Sequence, residues 1–285
     1  MLHIEPLHPL FAARLSGLDL RQPPDDAVMQ AVREAFERFS VLVFPEQAID
    51  DDAQLAFSAR LGPLEQTRAG ANGAGGHLLV LTNVGPDGQI APPTDRQVLN
   101  NRANRLWHAD SSFKPVPARA SMLSAREIPG QGGDTEFASM RAAWEAMPGP
   151  LRAGLRGRTA VHDFGWSRSR IMPELVTAAE RQDWPPVRHP VVLDGPQGEA
   201  LYLGAHARGI EGMDETEGRA LIEEAMAFAT QPRFVYAHRW SRHDLVLWDN
   251  RAVLHRATPF ASSAERRHMV RTTIAGEAPR SAAAA

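Results

Sequence analysis

A mainly β fold with flanking helices, built as a sandwich or barrel, is the architecture this sequence predicts. Three observations carry it. From Leu78 onward, short β-type runs recur between Gly, Pro and Asp breaks. Helical periodicity is confined to a few segments. Strands and helices do not alternate in the way a parallel βαβ sheet requires.

The elements follow in order. Asp25 to Ser40 spaces Val28, Met29, Val32, Ala35, Phe36 and Phe39 three or four residues apart, which is an amphipathic helix. It runs into Val41-Leu42-Val43-Phe44, a short apolar run stopped by Pro45. The carboxylates of Asp50 and Asp51 suit the first turn of a second helix. Leu64 to Gly76 contains EQTRAGANGAGG, a loop with no hydrophobic face. The β-type runs are LLVLTNV, WHADSSF, ASMLSARE, RHPVVL and EALYLG. Asp214 with Glu217 has the form of a capping box, opening a helix whose Leu221, Ile222, Ala225, Met226 and Ala229 share one face. RFVYAHRW, DLVLWD and HMVRTTI complete the set. No internal repeat or linker interrupts the pattern, so one domain over 1–285 is expected, with 280–285 a frayed tail.

Composition narrows the function. The 43% hydrophobic content supports a substantial core, and a net charge of -3 gives no reason to expect nucleic acid or an acidic membrane surface as partner. With no cysteine, disulfides, zinc-thiolate sites and cysteine nucleophiles are excluded. No apolar run approaches the ~20 residues that span a bilayer. The amino-terminal segment lacks a basic region followed by a long apolar stretch, so a cytoplasmic enzyme is expected.

Trp107-His108-Ala109-Asp110 is the first chemical signal. Residues two apart on extended chain face the same way, so His108 and Asp110 can grip one ion. His255, 145 residues after Asp110, is the candidate third ligand. Two imidazoles and one carboxylate on one side of a metal leave positions for a co-substrate and O₂, which suits Fe(II) oxygenases. Spacing alone decides little, because His-x-Asp is common and the chain has eleven histidines. His108 could equally be a core histidine donating to Asp110. Arg267 and Arg271, four apart in RRHMVRTTI, share a strand face. Arginine is the side chain suited to hold a carboxylate in a partly dry pocket, and the distal carboxylate of 2-oxoglutarate needs such a cation. Thr135 in Gly132-Gly133-Asp134-Thr135 is a candidate hydroxyl donor. Taken alone, the arginine pair fits exposed charges on an edge strand as well.

The motifs WHADSSF, GGDTEF, WDNR with a following HR, and RxxxRTT together resemble the taurine/2,4-dichlorophenoxyacetate dioxygenase family. The resemblance runs from about His8 to Gly276. It is closest to the aryloxyalkanoate (2,4-dichlorophenoxyacetate) branch, through LHPLFAA, GGDTEFASMRAAWEAMP and ATQPRFVYAHRW. It implies a double-stranded β-helix (jelly roll, cupin-like) with flanking helices. It implies His108, Asp110 and His255 as iron ligands and catalytic centre, with Thr135, Arg267 and Arg271 binding 2-oxoglutarate. Asn104, Ser111, His206 and Arg271 are the implied substrate contacts. Fe(II), 2-oxoglutarate and O₂ are the implied cofactors, and a homo-oligomer the implied assembly. The loop between His255 and the arginines is one residue longer than in the relatives it most resembles, leaving Arg266 or Arg267 to meet the co-substrate.

The implied reaction couples oxidative decarboxylation of 2-oxoglutarate, to succinate and CO₂, with hydroxylation of a small anionic substrate. An aryloxyalkanoate is favoured, with ether cleavage to a phenol and glyoxylate. Alternatives are a taurine-like alkylsulfonate or a sulfate ester. From another class come a non-oxidative metal-dependent jelly-roll hydrolase or isomerase and a binding module. The loop over 64–76 is expected to lie over the pocket. Arg68 and His77 stand as anion contacts or solvated surface residues, and His206 as a channel-lining or structural histidine. His162, His189, His238 and His243 are assigned to structure or surface.

Overall fold

The computed structural model describes residues 2–67 and 76–277. Arg68, most of the loop over 64–76 and the tail over 280–285 therefore lie outside the described residues. The chain opens with β1 (His3–Pro6) antiparallel to β2 (Ala13–Ser16). Asp25 caps α1 (Asp26–Phe39), accepting from the Val28 N–H at 2.8 Å, and Ser40 ends the helix at φ 60°. Met29, Val32, Ala35 and Phe36 are its buried face. The apolar run becomes β3 (Val41–Phe44), buried on both faces. Asp50 caps α2 (Asp51–Ala59) through the Ala53 N–H at 2.8 Å.

There follow β4 (Leu78–Thr82), α3 (Arg96–Ala103), β5 (Ala118–Glu127), β6 (Thr135–Ser139), α4 (Met140–Glu145), α5 (Gly149–Leu155), β7 (Thr159–His162) and α6 (Phe164–Ser169). Next come α7 (Ala178–Asp183), β8 (Val187–Pro190), β9 (Val192–Leu193), β10 (Ala200–Leu201), β11 (Ala207–Ile210) and α8 (Glu215–Ala229). The chain closes with β12 (Val235–His238), β13 (Leu245–Asp249), β14 (Val253–Ala257) and β15 (His268–Ala275).

Two layers of sheet face each other, as the jelly-roll expectation requires. The larger is ordered β1-β2-β3-β13-β5-β15-β4 and the smaller β12-β6-β14, with β11-β7-β8 and the β9-β10 pair beyond it. Every pairing is antiparallel except β2 with β3. Between the layers, Val43, Leu123, Trp248 and Met269 of the larger sheet meet Phe137 and Val253 of the smaller. The outer face of the larger sheet packs under α1 and α2 through Phe36, Leu42, Met122 and Leu247. Trp144, Leu155, Ile222 and Leu254 seal the smaller sheet against α4, α5 and α8. Among the described residues, no helix is long and apolar enough to cross a membrane.

Some local readings need correcting. WHADSSF is not a strand: His108 makes a single bridge to His255 and the chain turns from Asp110. In RFVYAHRW the extended part is only Val235–His238, because Pro232 starts a short 3₁₀ turn first. Asp214 does cap α8, accepting from the Thr216 and Glu217 N–H groups, but no return bond from the Glu217 side chain completes a box.

Candidate metal centre

The centre is assembled from backbone first. His108 N–H donates to the His255 carbonyl at 3.0 Å, and His255 N–H returns a bond at 2.9 Å. This reciprocal bridge ties the 107–110 segment to β14 and sets the two imidazoles 4.2 Å apart, centroid to centroid. Asp110 follows two residues later, with its oxygens 3.9 Å from His108 Nε2 and 3.7 Å from His255 Nε2. All three are buried, and their ligand atoms lie within 4.8 Å of one another.

A second set of residues holds them. His108 Nδ1 bonds the Leu106 carbonyl at 2.7 Å, which makes Nδ1 the protonated nitrogen and leaves the Nε2 lone pair free. Ser121 of β5 donates to Asp110 Oδ2 at 2.6 Å. Asn250, in the turn from β13 to β14, accepts from the Asp110 N–H at 3.0 Å and donates to Ser121 at 3.0 Å. Trp248 Nε1 fixes the Asn250 amide at 3.1 Å, and Arg251 closes the turn on both oxygens of Asp249. The WDNR motif is thus the device that aims Asp110. Sequence reading noted WDNR but not that Asn250 and Ser121 do the aiming. Behind His108, Gly204 sits at φ 132°, and a Cβ there would come within 3.1 Å of the Trp107 carbonyl.

Electrostatics favours the ligand forms. Burial lowers the pKa of His108 and holds that of His255 well below the usual value, so both imidazoles are neutral. Burial alone would raise the Asp110 pKa, but the Arg271 guanidinium and the hydrogen bond from Ser121 hold its carboxyl well below the usual range. Arg271 Nη1 bonds Asp110 Oδ1 directly. Two neutral imidazoles and one carboxylate are the protonation states a divalent metal needs, and the donor set fits Fe(II).

Arg267 lies just before β15 and is enclosed. Its N–H donates to Asn83 Oδ1 at 2.8 Å and its Nη2 to the Gly133 carbonyl at 3.3 Å, while Nε has no partner. No ion pair to a carboxylate is formed among the described residues, and burial pushes its pKa down to about 10. Gly133, at φ 70°, makes room, since a Cβ there would stand 3.4 Å from Arg267 Nε. Arg266 points outward instead, to Glu127 at 2.8 Å and the Gly88 carbonyl at 2.7 Å. Thr135 accepts from Trp240 Nε1 at 3.0 Å, which leaves its own proton to donate. A cation lacking a counter-ion, with a hydroxyl donor in the adjoining GGDT segment, fits a dicarboxylate co-substrate.

The remaining candidates scatter around this core. Asn104 ends α3 and lines a small open cleft together with Asn83, Asn101, Phe260 and Arg267. Ser111, at φ 56°, turns its hydroxyl to Glu65 at 2.8 Å, and exposed His77 bonds the Glu65 carbonyl at 3.0 Å. His206 is buried, 5.0 Å from the Phe113 ring. His162 is buried against Tyr202 and lies outside the centre. Arg168 of α6 went unnoticed in the sequence. Its guanidinium lies over the Phe164 ring, Cζ 5.2 Å from the centroid, and that ring stacks 6.4 Å from the buried His206 ring.

Comparison with known proteins gives concordant results. The family described as taurine catabolism dioxygenase TauD, TfdA family matches residues 3–273. The chain is 42% identical over 276 residues to the alpha-ketoglutarate-dependent 2,4-dichlorophenoxyacetate dioxygenase of Cupriavidus pinatubonensis, covering 94% of this chain and 96% of that protein. It is 34% identical over 284 residues to the (S)-phenoxypropionate/alpha-ketoglutarate-dioxygenase of Sphingobium herbicidovorans, covering 96% and 95%. Among solved structures, AAD-2 in complex with Mn(II) and N-oxalylglycine superposes with a TM-score of 0.90 at 39% identity, covering 98% of each chain.

Proposed function

The chain belongs to the taurine catabolism dioxygenase TauD, TfdA family, and from that premise we propose that it is an Fe(II)/2-oxoglutarate-dependent dioxygenase acting on an aryloxyalkanoate such as 2,4-dichlorophenoxyacetate. The observation that carries the reading is the joint presence of a buried His108-Asp110-His255 cluster and an enclosed Arg267 without a counter-ion.

His108, Asp110 and His255 would hold the iron, which when bound would supply the oxidising chemistry of O₂ activation. Arg267 takes the distal carboxylate of 2-oxoglutarate, with Thr135 donating a hydrogen bond to it. Arg271, bonded to Asp110, keeps that carboxyl ionised and is the cation for the co-substrate or for the anionic head of the substrate. Asn104, Ser111 and His206 belong to the surroundings of the substrate. The enclosed cluster keeps bulk water from the reacting C–H. Hydroxylation at the carbon next to the ether oxygen gives a hemiacetal, whose collapse releases the phenol and glyoxylate, with succinate and CO₂ as co-products. The reading includes one catalytic domain, a cytoplasmic location and a homo-oligomeric assembly; light scattering on the purified protein tests the last.

Anaerobic addition of Fe(II) and 2-oxoglutarate to the apoprotein should produce a visible metal-to-ligand charge-transfer band. Folded protein that gives no band would support the non-oxidative jelly-roll alternative. Phenol release from a panel of aryloxyacetates and aryloxypropionates, run against taurine and a sulfate ester, identifies the substrate class. Turnover of taurine alone would reverse the assignment.

A further inference from the structure

Trp240 stands two residues past His238, the last residue of β12. β12 pairs with β6 in a register that sets His238 opposite Thr135. The indole therefore returns over the end of β6, and its Nε1–H donates to Thr135 Oγ1 at 3.0 Å, with both residues buried. The ring is also held across its plane. His238 lies perpendicular to it, with ring centroids 4.5 Å apart. His238 Nδ1 is 3.1 Å from the Tyr236 hydroxyl and its Nε2 is 3.2 Å from Asp244 Oδ2, an oxygen that accepts from the Ser241 N–H at 2.9 Å. A buried polar group from β12 and the turn after it thus wedges the indole against Thr135.

A threonine hydroxyl has one proton to give and lone pairs to receive, and left to itself it can turn that proton to a nearby backbone carbonyl. An indole N–H is a donor only. The Trp240–Thr135 bond therefore has a single polarity, in which Oγ1 accepts and the hydroxyl proton is sent elsewhere. Among the described residues no acceptor takes that proton. A buried donor normally has one. The surroundings supply a place for it. Gly133, two residues before Thr135, accepts from Arg267 Nη2 at 3.3 Å. On its other side Thr135 pairs with Ala257 of β14, which lines the same cleft as Arg267. One short stretch of chain, 133–135, thus carries both the carbonyl that anchors the enclosed cation and the hydroxyl whose proton is unspent.

Packing by itself asks less of this position. Trp240 belongs to the cluster between the two sheets, with Leu123, Phe137 and Met269. A phenylalanine would supply most of that apolar contact. What tryptophan adds is the N–H, and its hydrogen-bond partner is Thr135.

We propose that Trp240 is a positioning residue for the co-substrate: its N–H holds the Thr135 hydroxyl with the proton turned to the distal carboxylate of 2-oxoglutarate beside Arg267. This rests on the dioxygenase reading above and deepens its co-substrate site. The donor is oriented before the ligand arrives, so binding does not first have to break a bond from Thr135 to a protein carbonyl. Trp240 acts through Thr135 and touches neither the metal nor the ligand.

The test is an anaerobic titration of the Fe(II)-loaded protein in wild type, Trp240→Phe, Thr135→Val and the double variant. The charge-transfer band reads Kd for 2-oxoglutarate and for 2-oxobutyrate, which keeps the chelating oxo-carboxylate and lacks the distal one. Trp240→Phe should weaken 2-oxoglutarate about 10-fold, the scale of a hydrogen bond to a charged group, while 2-oxobutyrate changes by no more than about twofold. In the Thr135→Val background the same substitution should cost nothing further, because the two residues act as one unit. With saturating 2-oxoglutarate kcat should hold, so that the loss lies in KM. Should Trp240→Phe not fold, Trp240→Met is measured by the same criteria. An unchanged 2-oxoglutarate Kd, equal losses for the two oxo acids, additive losses with Thr135→Val, or failure of both Trp240 variants to fold would each overturn the proposal and leave Trp240 a packing residue. A wild type that gives no band with either oxo acid would instead overturn the dioxygenase reading, and the proposal with it.

Discussion

Arg267 and Arg168 are the same side chain in two settings. Both are desolvated, both have pKa values pushed down to about 10, and neither has a carboxylate within ion-pair distance among the described residues. They differ in what positions them. Arg267 enters a strand of the seven-stranded sheet and is pinned by Asn83 and Gly133. Arg168 rides on a six-residue helix after β7 and leans on one aromatic ring. What holds Arg267 is thus the larger sheet, and what holds Arg168 is a short helix outside it.

The largest expected effect falls on the metal cluster itself. His108→Ala should fold normally yet lose succinate formation by more than about 100-fold, since even outer residues of a metal site act on that scale; retained turnover in the coupled succinate assay would show the ligand to be misassigned. Arg267→Ala tests the sheet side, with the 2-oxoglutarate KM rising about 100-fold while substrate Kd holds. An equal change in both constants would dissolve the distinction between the two sites. Ser121→Ala leaves Asp110 one hydrogen bond short and should weaken Fe(II) affinity about 10-fold or more in a metal titration. Arg266→Ala is the smallest, changing the 2-oxoglutarate KM by no more than about threefold because it breaks only an exposed pair. A large effect there would exchange the roles of the two neighbouring arginines.

A stability prediction probes the same physics of burial in a group that stays neutral. Both His162 ring nitrogens lack partners, and burial lowers its pKa to about 3. The unfolded chain takes up a proton below about pH 6.5, so stability falls as pH drops from there towards 3. That slope is about 1.4 kcal/mol per pH unit. His162→Gln, which cannot take up that proton, should lose about 2 kcal/mol less than wild type between pH 7 and pH 5 in urea unfolding.

The local rules read well where they are self-contained. Asp50 caps α2 where its carboxylate suggested a first turn, α1 lies within the 25–40 stretch its apolar spacing marked, and the apolar runs at 41–44, 245–249 and 268–275 are strands of the larger sheet. Helices α3 to α7 were missed because they are short, eight residues at most, and have too few turns for periodicity to register. WHADSSF misled because its alternation of side-chain type imitates a strand, whereas its backbone pairs only at His108 and then turns.

By itself, the sequence determined the β-rich class, the capped helices, the residue types a metal and a dicarboxylate need, and the family motifs that join them. Only the tertiary structure decided which of two adjacent arginines is enclosed, that Asn250 and Ser121 aim Asp110, and that Arg168 lies over Phe164 without an acceptor among the described residues. The physical reason is that capping and alternation act over a few residues of chain. Desolvation and hydrogen-bond satisfaction depend instead on what distant segments, 140 residues apart for Asp110 and Asn250, bring to the same point.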